Sequence, residues 1–454
     1  MFGDVGLGER LAVCEGAARR VLECELDVAL NQAAVAGDEQ LRFVERLRAE
    51  PAGALRDQQQ PGRAARPHGD APRCADTEPG VPGGSDAHRA EHGVDEIHDS
   101  SVLDDQLQNP DSRILVVQPR HPSVKIMQSY RLNAHRVLEL VEGPTPTPGR
   151  GQVLVRVKAT SLNSRDMVIA SGLYPFPPLP NLIQLSDAAG VIEAVGPDVM
   201  RFRVGDRVVS SFNPTWFGGP VRKVGQMYGT DIDGWLSDYA VVDEDVLVSM
   251  PEHLSFEEAA TLPCAALTGW SAVAGVGPGD TVLVQGSGGV SLFALQFARA
   301  AGARVIATTS SEAKAERLLE LGASDAVNYA ETSHWGSVVR TLTDDRGVDI
   351  VVEVAGAATI SQSVEALALH GTISLVGHLG GAGQGMDLMP LSLRFATLRA
   401  IGVGSRSDLE EMNRVVSQHR IRPVIDRVFP FSDAPRAFEH FAHGSRFGKI
   451  LVSH

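Results

Sequence analysis

Between Thr281 and Ser311 the chain reads TVLVQGSGGVSLFALQFARAAGARVIATTSS: an apolar run, a cluster of glycines, a long apolar helical stretch and a second apolar run. A strand that is apolar at every position is covered on both faces, which calls for a parallel sheet with helices packed above and below it. The alternation continues through EAKAERLLELG, DAVNY, VDIVVEVAG, SVEALALHG and TISLVGH. Residues 256–397 are therefore expected to form a doubly wound α/β sheet.

Gly286, Gly288 and Gly289 sit between the first strand and its helix. The first glycine permits a tight turn, the next lets the backbone approach a pyrophosphate, and the N–H groups at the helix start stabilise the negative charge. Ser291 stands where a third glycine often packs helix on strand, and a serine is small enough there. Because a complete βαβ unit surrounds the turn, it is read as a dinucleotide site and not as a glycine turn without a ligand. An NAD site would carry Asp or Glu at the end of the next strand, to bind the ribose 2′-hydroxyl. This chain has Ala307-Thr308-Thr309-Ser310-Ser311, followed by Lys314 and Arg317. With no carboxylate to repel it, a 2′-phosphate is expected on the Ser310 and Ser311 hydroxyls and the Lys314 cation, which favours NADP(H) over NAD(H). Arg317 is read as part of a solvated helix face.

The rest of the chain is of two kinds. Residues 152–248 carry short alternating strands (VLVRVKA, AAGVIEAVG, DRVVSSF, SDYAVV) between Gly and Pro turns, the pattern of a β barrel or sandwich. Residues 1–126 hold 14 basic groups, with Lys125 their one lysine, against 22 acidic ones, and no Tyr or Trp. The stretch 51–98 has almost no large apolar residue to offset its ordering entropy and is expected to be disordered. Met127 is the first methionine after Met1. Three readings of 1–126 stay open: a segment upstream of the natural start, a disordered extension, or a small helical module. A chain beginning at Met127 is expected to keep the same thermal midpoint and cofactor affinity.

Charge and cysteine content exclude several functions. Forty-one Lys and Arg against 56 Asp and Glu leave a net charge of −15, which disfavours nucleic acid and an anionic membrane surface as partners. Cys14, Cys24, Cys74 and Cys264 are too few for a disulfide framework and lack paired zinc-site spacing, which fits a reducing, cytoplasmic setting. No apolar run reaches the roughly 18 residues of a membrane span. No Gly-x-Ser-x-Gly elbow points to a hydrolase.

The stretches LNSRDMVIASGLYP, LSDAAGVIEAVG, RFRVGDRVV, LSFEEAATLPCAALTGW, PGDTVLVQGSGGVSLFALQFARAAG, GVDIVVEVAG, HRIRPVIDRVFPF and FGKIL occur in order over residues 128–452. In them the chain resembles the zinc-independent branch of the medium-chain dehydrogenase/reductase superfamily, the quinone oxidoreductase and enoyl reductase-like proteins. The resemblance implies a β-rich GroES-like catalytic domain over 127–258 and 402–454, and a Rossmann NAD(P)-binding domain over 259–401. Zinc-dependent relatives carry Cys where this chain has Asn163, His-Glu where it has Ser186-Asp187, and Cys where it has Cys264. One thiol cannot supply the three protein ligands that a catalytic zinc needs, so no metal site is expected. Cys264 is then a buried, small apolar residue.

Without a Lewis acid, hydrogen-bond donors must polarise the carbonyl oxygen, or charge must develop on an enolate oxygen. The resemblance makes Asn163 a donor near the nicotinamide. Ser164 stands where enoyl reductases carry a tyrosine, which argues against enoyl-thioester reduction. Asp166 either orients this loop or acts as an acid, and Thr268 is placed beside the nicotinamide. Gly286, Ser287, Gly288, Gly289, Val290, Thr309, Ser310, Ser311, Lys314, Tyr329, Gly356, Gly377, His378 and Lys449 make up the expected cofactor site, with Tyr329 and Lys449 near the adenosine end. The implied activity is NADPH-dependent reduction of a quinone, enone or aldehyde. Oxidation of a secondary alcohol with NADP, or NADPH binding by a sensor without turnover, are the alternatives. Tyr174, Phe176, Trp216 and Phe217 are candidates to line an apolar pocket, and a homodimer is expected through an edge strand at 398–403.

Overall fold

The structure is a computed structural model that describes residues 125–223, 225–377, 386–444 and 446–454. The expectations for residues up to 124 and for His378 lie outside the described residues. In chain order the first strands are β1 (Ile126–Leu132), β2 (Leu138–Pro144), β3 (Gln152–Ser161), β4 (Leu182–Ile183), β5 (Asp187–Val195), β6 (Arg207–Ser210), β7 (Tyr239–Asp243) and β8 (Leu247–Ser249). They are followed by β9 (Thr281–Gln285), β10 (Arg304–Thr309), β11 (Asp325–Asn328), β12 (Val348–Glu353), β13 (Leu367–Leu375) and β14 (Thr397–Ala400). The last two are β15 (Ile425–Pro430) and β16 (Lys449–Ser453).

Strands β9 to β14 form one parallel sheet in the order β11-β10-β9-β12-β13-β14. The order reverses between β9 and β12, and in open α/β sheets that reversal leaves a ligand crevice beyond the carboxyl ends of the strands. All five residues of β9 are buried, as expected for a central strand whose Val282, Leu283 and Val284 are covered on both faces. The β-rich part is a sheet of seven strands, β15-β16-β3-β5-β6-β8 with β7 also on β3. Alternation along β3 follows from its position: Val153, Val155 and Val157 point into one core, while Arg156 is exposed. A smaller sheet, β2-β1-β4, lies beside it. Ile126 pairs with Pro144, and Lys125 donates to Glu193 and Tyr239, so among the described residues the two positions ahead of Met127 already take part in the fold.

The helices that matter for the site are α1 (Ser164–Ser171), α2 (Gly289–Ala300), α3 (Glu312–Glu320), α4 (Arg406–Gln418) and α5 (Ala434–Ala442). Helix α2 is apolar on nearly every side and buries Leu292, Phe293, Leu295 and Phe297. Its core is shared, because Ala159, Ala189 and Val209 of the β-rich sheet belong to the same buried cluster as Val282, Val284 and Leu292. The residues that join the two are Leu262, Ala265, Ala266 and Leu267, on a π-helical turn over Leu262–Ala266 and the start of the next helix. Burial of this seam holds the parallel sheet against the β-rich sheet.

Candidate active site

The glycine turn follows β9 directly. Gly286 has φ +70°, a conformation that a side chain would strain, and open space lies where a Cβ on Gly286 or Gly288 would point. Gly288 caps α2 without any side-chain cap, so the helix start relies on its ligand or on solvent to satisfy its N–H groups. Ser287 and Val290 complete the turn, and Ser287 O accepts from Gly448 N at 3.0 Å, which ties the turn to the strand β16 that follows. Ser291 donates to Gln285 O at 2.5 Å and thereby fastens α2 to β9. An uncapped helix start of 12 residues above an open glycine turn fits the pyrophosphate of a dinucleotide.

At the end of β10, Thr309 is 1% exposed and its Oγ1 has no hydrogen-bond partner among the described residues. Tyr329 N donates to Thr309 O, which brings Tyr329 beside this strand end. Ser310 is exposed, and Ser311 caps α3 and accepts from the Lys314 and Ala315 N–H groups through its carbonyl. Lys314 is half-buried, and burial with the nearby Arg446 and Arg317 lowers its pKa, against the pull of Asp426. Arg317 stacks on Phe447 at 3.7 Å and so is not a purely solvated side chain. Three cations and one carboxylate therefore gather beyond Thr309.

On the far side of the crevice, β9 and β12 end in a hydrogen-bonded cluster that the sequence did not announce. Glu353 is fully buried: one oxygen accepts from Ala355 N, Gly356 N and Thr359, the other from Gln285 and Ser363. Gln285 Oε1 accepts in turn from Val354 N. This network fixes Gly356, which has φ +77°, at the reversal point of the sheet. Gly377 lies at the same edge, where a Cβ would come within 2.2 Å of Val354 O.

The loop that carries Asn163 and Asp166 starts where β3 ends. Asn163 caps α1, and its N–H donates to Asp166 Oδ2 at 2.7 Å. Asp166 is thus a carboxylate that orients the loop, and burial pushes its pKa up to about 6 against the opposing effects of Arg165 and the Asn163 N–H. Arg165 had no sequence signal; it lies against Asp166, donates to Tyr228 O and stacks between Tyr174 and Phe212. Thr268 donates to Cys264 O at 2.6 Å, one helical turn back, so its hydroxyl keeps only acceptor capacity for a ligand.

Lys449 is where the structure departs most from expectation. Its side chain does not end at the adenosine side: Nζ donates to Leu162 O and to Asn163 Oδ1 at 2.6 Å. The reason is Gly289, since a Cβ there would lie 2.5 Å from the lysine Cδ, and the bare backbone opens the passage for the stem. Asp187 is also fully buried, accepts from Ser186 Oγ and Cys264 N, and has its pKa raised by burial against the pull of Lys449. Burial likewise pushes the Cys264 thiol up, so it stays protonated; the residue itself is only partly buried.

These residues do not fit a catalytic zinc. The place holds an amide, a hydroxyl, one carboxylate already engaged by Ser186 and Cys264, a single thiol and an ammonium. A tetrahedral site needs three anionic or imidazole ligands, and no group of three or more His, Cys, Asp or Glu is disposed to hold a metal among the described residues. The aromatic side chains divide into two sets: Tyr174 and Phe176 stay together beside Arg165, whereas Phe217 lies under Arg406 and the Trp216 ring donates to Gly219 O.

A doubly wound sheet whose glycine turn faces a GroES-like sheet across one core defines a class, the NAD(P)-dependent dehydrogenases. An alcohol dehydrogenase GroES-like domain matches residues 149–252, and the family described as zinc-binding dehydrogenase matches 289–418. A zinc-type alcohol dehydrogenase-like protein of Schizosaccharomyces pombe is 42% identical over 313 residues, covering 66% of this chain and 90% of that protein. Quinone oxidoreductase of Mus musculus is 30% identical over 321 residues, 68% of this chain and 90% of that one. Among solved structures, an NAD-dependent alcohol dehydrogenase matches with TM-score 0.67 and 33% identity over 72% of this chain and 99% of that chain. Crotonyl-CoA carboxylase/reductase AntE in complex with NADP matches with TM-score 0.65 and 26% identity, over 72% and 95%. The chain belongs to the medium-chain dehydrogenase/reductase superfamily and is an oxidoreductase of that kind.

Proposed function

We propose that this oxidoreductase is zinc-independent, uses NADPH, and transfers hydride to a quinone, enone or aldehyde. The observation that carries the reading is the Lys449 ammonium bonded to Asn163 at the place where a metal would otherwise act. When bound, the nicotinamide supplies a hydride, two electrons with one proton, and a second proton from solvent balances the reduction. The protein's part is to bind, orient and polarise. The glycine turn and the start of α2 take the pyrophosphate, and the Asn163 amide meets the acceptor oxygen as charge grows on it.

The preference for NADPH rests on residues beyond β10. Thr309 offers an unpartnered hydroxyl in place of a carboxylate, and a phosphate dianion would relieve the crowding of Lys314 by Arg317 and Arg446. The relatives include an NAD-dependent dehydrogenase and a reductase with NADP bound, so the preference proposed here rests on these local residues. The proposal assigns 127–258 with 402–454 to catalysis and 259–401 to the cofactor, in a cytoplasmic homodimer. Pairing would use β14, an edge strand near the exposed Phe395 and Leu398.

The test is oxidation of NADPH and NADH with panels of quinones, enones and aldehydes, and NADP reduction with secondary alcohols, each before and after prolonged chelation. NADPH oxidation that survives chelation is the expected result. Stoichiometric zinc lost together with activity, turnover of alcohols alone, or NADPH binding without turnover would each overturn the reading. Sedimentation as a monomer at micromolar concentration would refute the dimer.

A further inference from the structure

Strands, turn and loop from distant parts of the chain converge on one buried ammonium. Lys449 is 4% exposed; its Nζ donates to Leu162 O and to Asn163 Oδ1, across separations of 287 and 286 residues. The charged groups that face it are Asp187 and Asp166 on the β-rich side, with Arg446 on its own segment. Asp187 is held by Ser186 Oγ and Cys264 N, so it neutralises the lysine without moving toward it.

An ammonium can only donate, and a primary amide has one accepting and one donating end. Lys449 therefore dictates which way the Asn163 amide faces: Oδ1 toward the lysine, Nδ2 away from it. Nδ2 is buried and makes no hydrogen bond of ordinary geometry in the described structure, although the amide lies near enough to Asp187 to favour its charged form. A buried N–H without a partner is costly, and it is the end of the amide left for a ligand.

We infer that Lys449 is the positioning residue of this site: it orients the Asn163 amide so that Nδ2 is the donor to the acceptor oxygen, and polarises that donor through the amide. A cation thus acts here by charge-assisted hydrogen bonding, where a Lewis acid would act by coordination. The inference rests on the carbonyl or quinone reduction proposed above for what the donor meets, but not for the Lys449–Asn163 bond itself.

The experiment is a double-mutant cycle in the full chain with Lys449→Met, Asn163→Ala and the pair, reading kcat, NADPH dissociation constant and thermal midpoint. Lys449→Met is expected to lower kcat by about ten- to a hundred-fold with NADPH affinity nearly unchanged, and Asn163→Ala by about 10²–10³-fold. The pair should be no slower than Asn163→Ala alone, because the lysine acts through the amide. Losses that multiply, or a loss of NADPH affinity as large as the loss of kcat, would overturn the inference. Since Lys449→Met leaves Asp187 without its counter-charge, Lys449→Met/Asp187→Asn serves as the second variant. It should recover the thermal midpoint while kcat stays low, and recovery of kcat would again overturn the inference. A readout independent of turnover uses protein labelled with ¹⁵N at asparagine side chains, the Asn163 signal being identified by its loss in Asn163→Ala. That signal should shift in Lys449→Met. If the wild type reduces none of the acceptors yet the shift is present, the functional reading fails and the Lys449–Asn163 pairing stands; no shift refutes the pairing.

Discussion

The glycine turn and the Asn163 pocket face each other across the stem of Lys449 and are built by opposite means. The turn uses backbone from one short stretch, Gly286 to Val290, and its open space comes from missing side chains. The pocket uses side chains from four stretches, with hydrogen bonds spanning 77 residues from Asp187 to Cys264 and 286 from Lys449 to Asn163. Backbone recognition tolerates substitution around it, whereas a buried polar cluster fails when any one member is lost. The two walls should therefore respond differently to mutation.

The largest effect is expected in the pocket. Asn163→Ala should reduce kcat by about 10²–10³-fold, equivalent to about 3–4 kcal/mol, with little change in NADPH affinity measured by fluorescence titration. An equal loss of cofactor affinity would erase the distinction between the two walls. Next comes the acid response of the same wall. Burial raises Asp166 from 3.8 to about 6, so between those values the native state binds a proton that the unfolded chain does not. By linkage, this carboxyl adds stability as pH falls from 6 toward 4, by up to about 2–3 kcal/mol, and that gain is absent at pH 7. Urea unfolding of wild type and Asp166→Asn across this range should differ in slope with the wild type gaining more on acidification; identical pH profiles would show that Asp166 titrates normally.

The turn side should give a smaller and more selective result. Lys314→Ala is expected to weaken NADPH by about ten- to a hundred-fold and leave NADH nearly unchanged, and Thr309→Asp should reverse the preference by repelling the phosphate. Equal losses for both cofactors in Lys314→Ala would mean that this cation does not read the 2′-phosphate. The smallest effect is expected for Ser291→Ala. It removes the buried hydrogen bond to Gln285 O and should cost about 1 kcal/mol of stability in chemical denaturation without altering cofactor affinity. A marked loss of NADPH binding there would make the turn as dependent on side chains as the pocket is.

The same contrast decides what could be read in the sequence. The parallel sheet, its glycine turn and the Thr309 to Lys314 stretch are local patterns whose periods and spacings survive in one dimension. Asn163 and Asp166 were legible as a motif, and the capping role of Asp166 follows from their spacing of three. Lys449 was misplaced because the direction of its side chain depends on Gly289, far away in the chain. Glu353 and Arg165 carried no signal, since a lone charged residue after an apolar strand, or on a helix start, resembles an ordinary solvated one until the fold supplies five donors for the first and two aromatic rings for the second.

Strand β16 lies inside its sheet, next to the edge, parallel to β15 on one side and antiparallel to β3 on the other, with Leu451 opposite Ser161 and Ser453 opposite Ala159. A ribosome delivers β3 first and β16 last, so the edge of β3 that ends in the Asn163 loop stays bare while the whole nucleotide-binding part is made. The Asn163 loop cannot be set in a nascent chain, however complete the parallel sheet already is. Closing a connection of this length adds entropy cost only slowly with length, but it delays the step and leaves the edge of β3 at residues 159–161 unpaired in the meantime. The location of a single strand thus places a burden on synthesis, since the Asn163 loop is completed only after the parallel sheet.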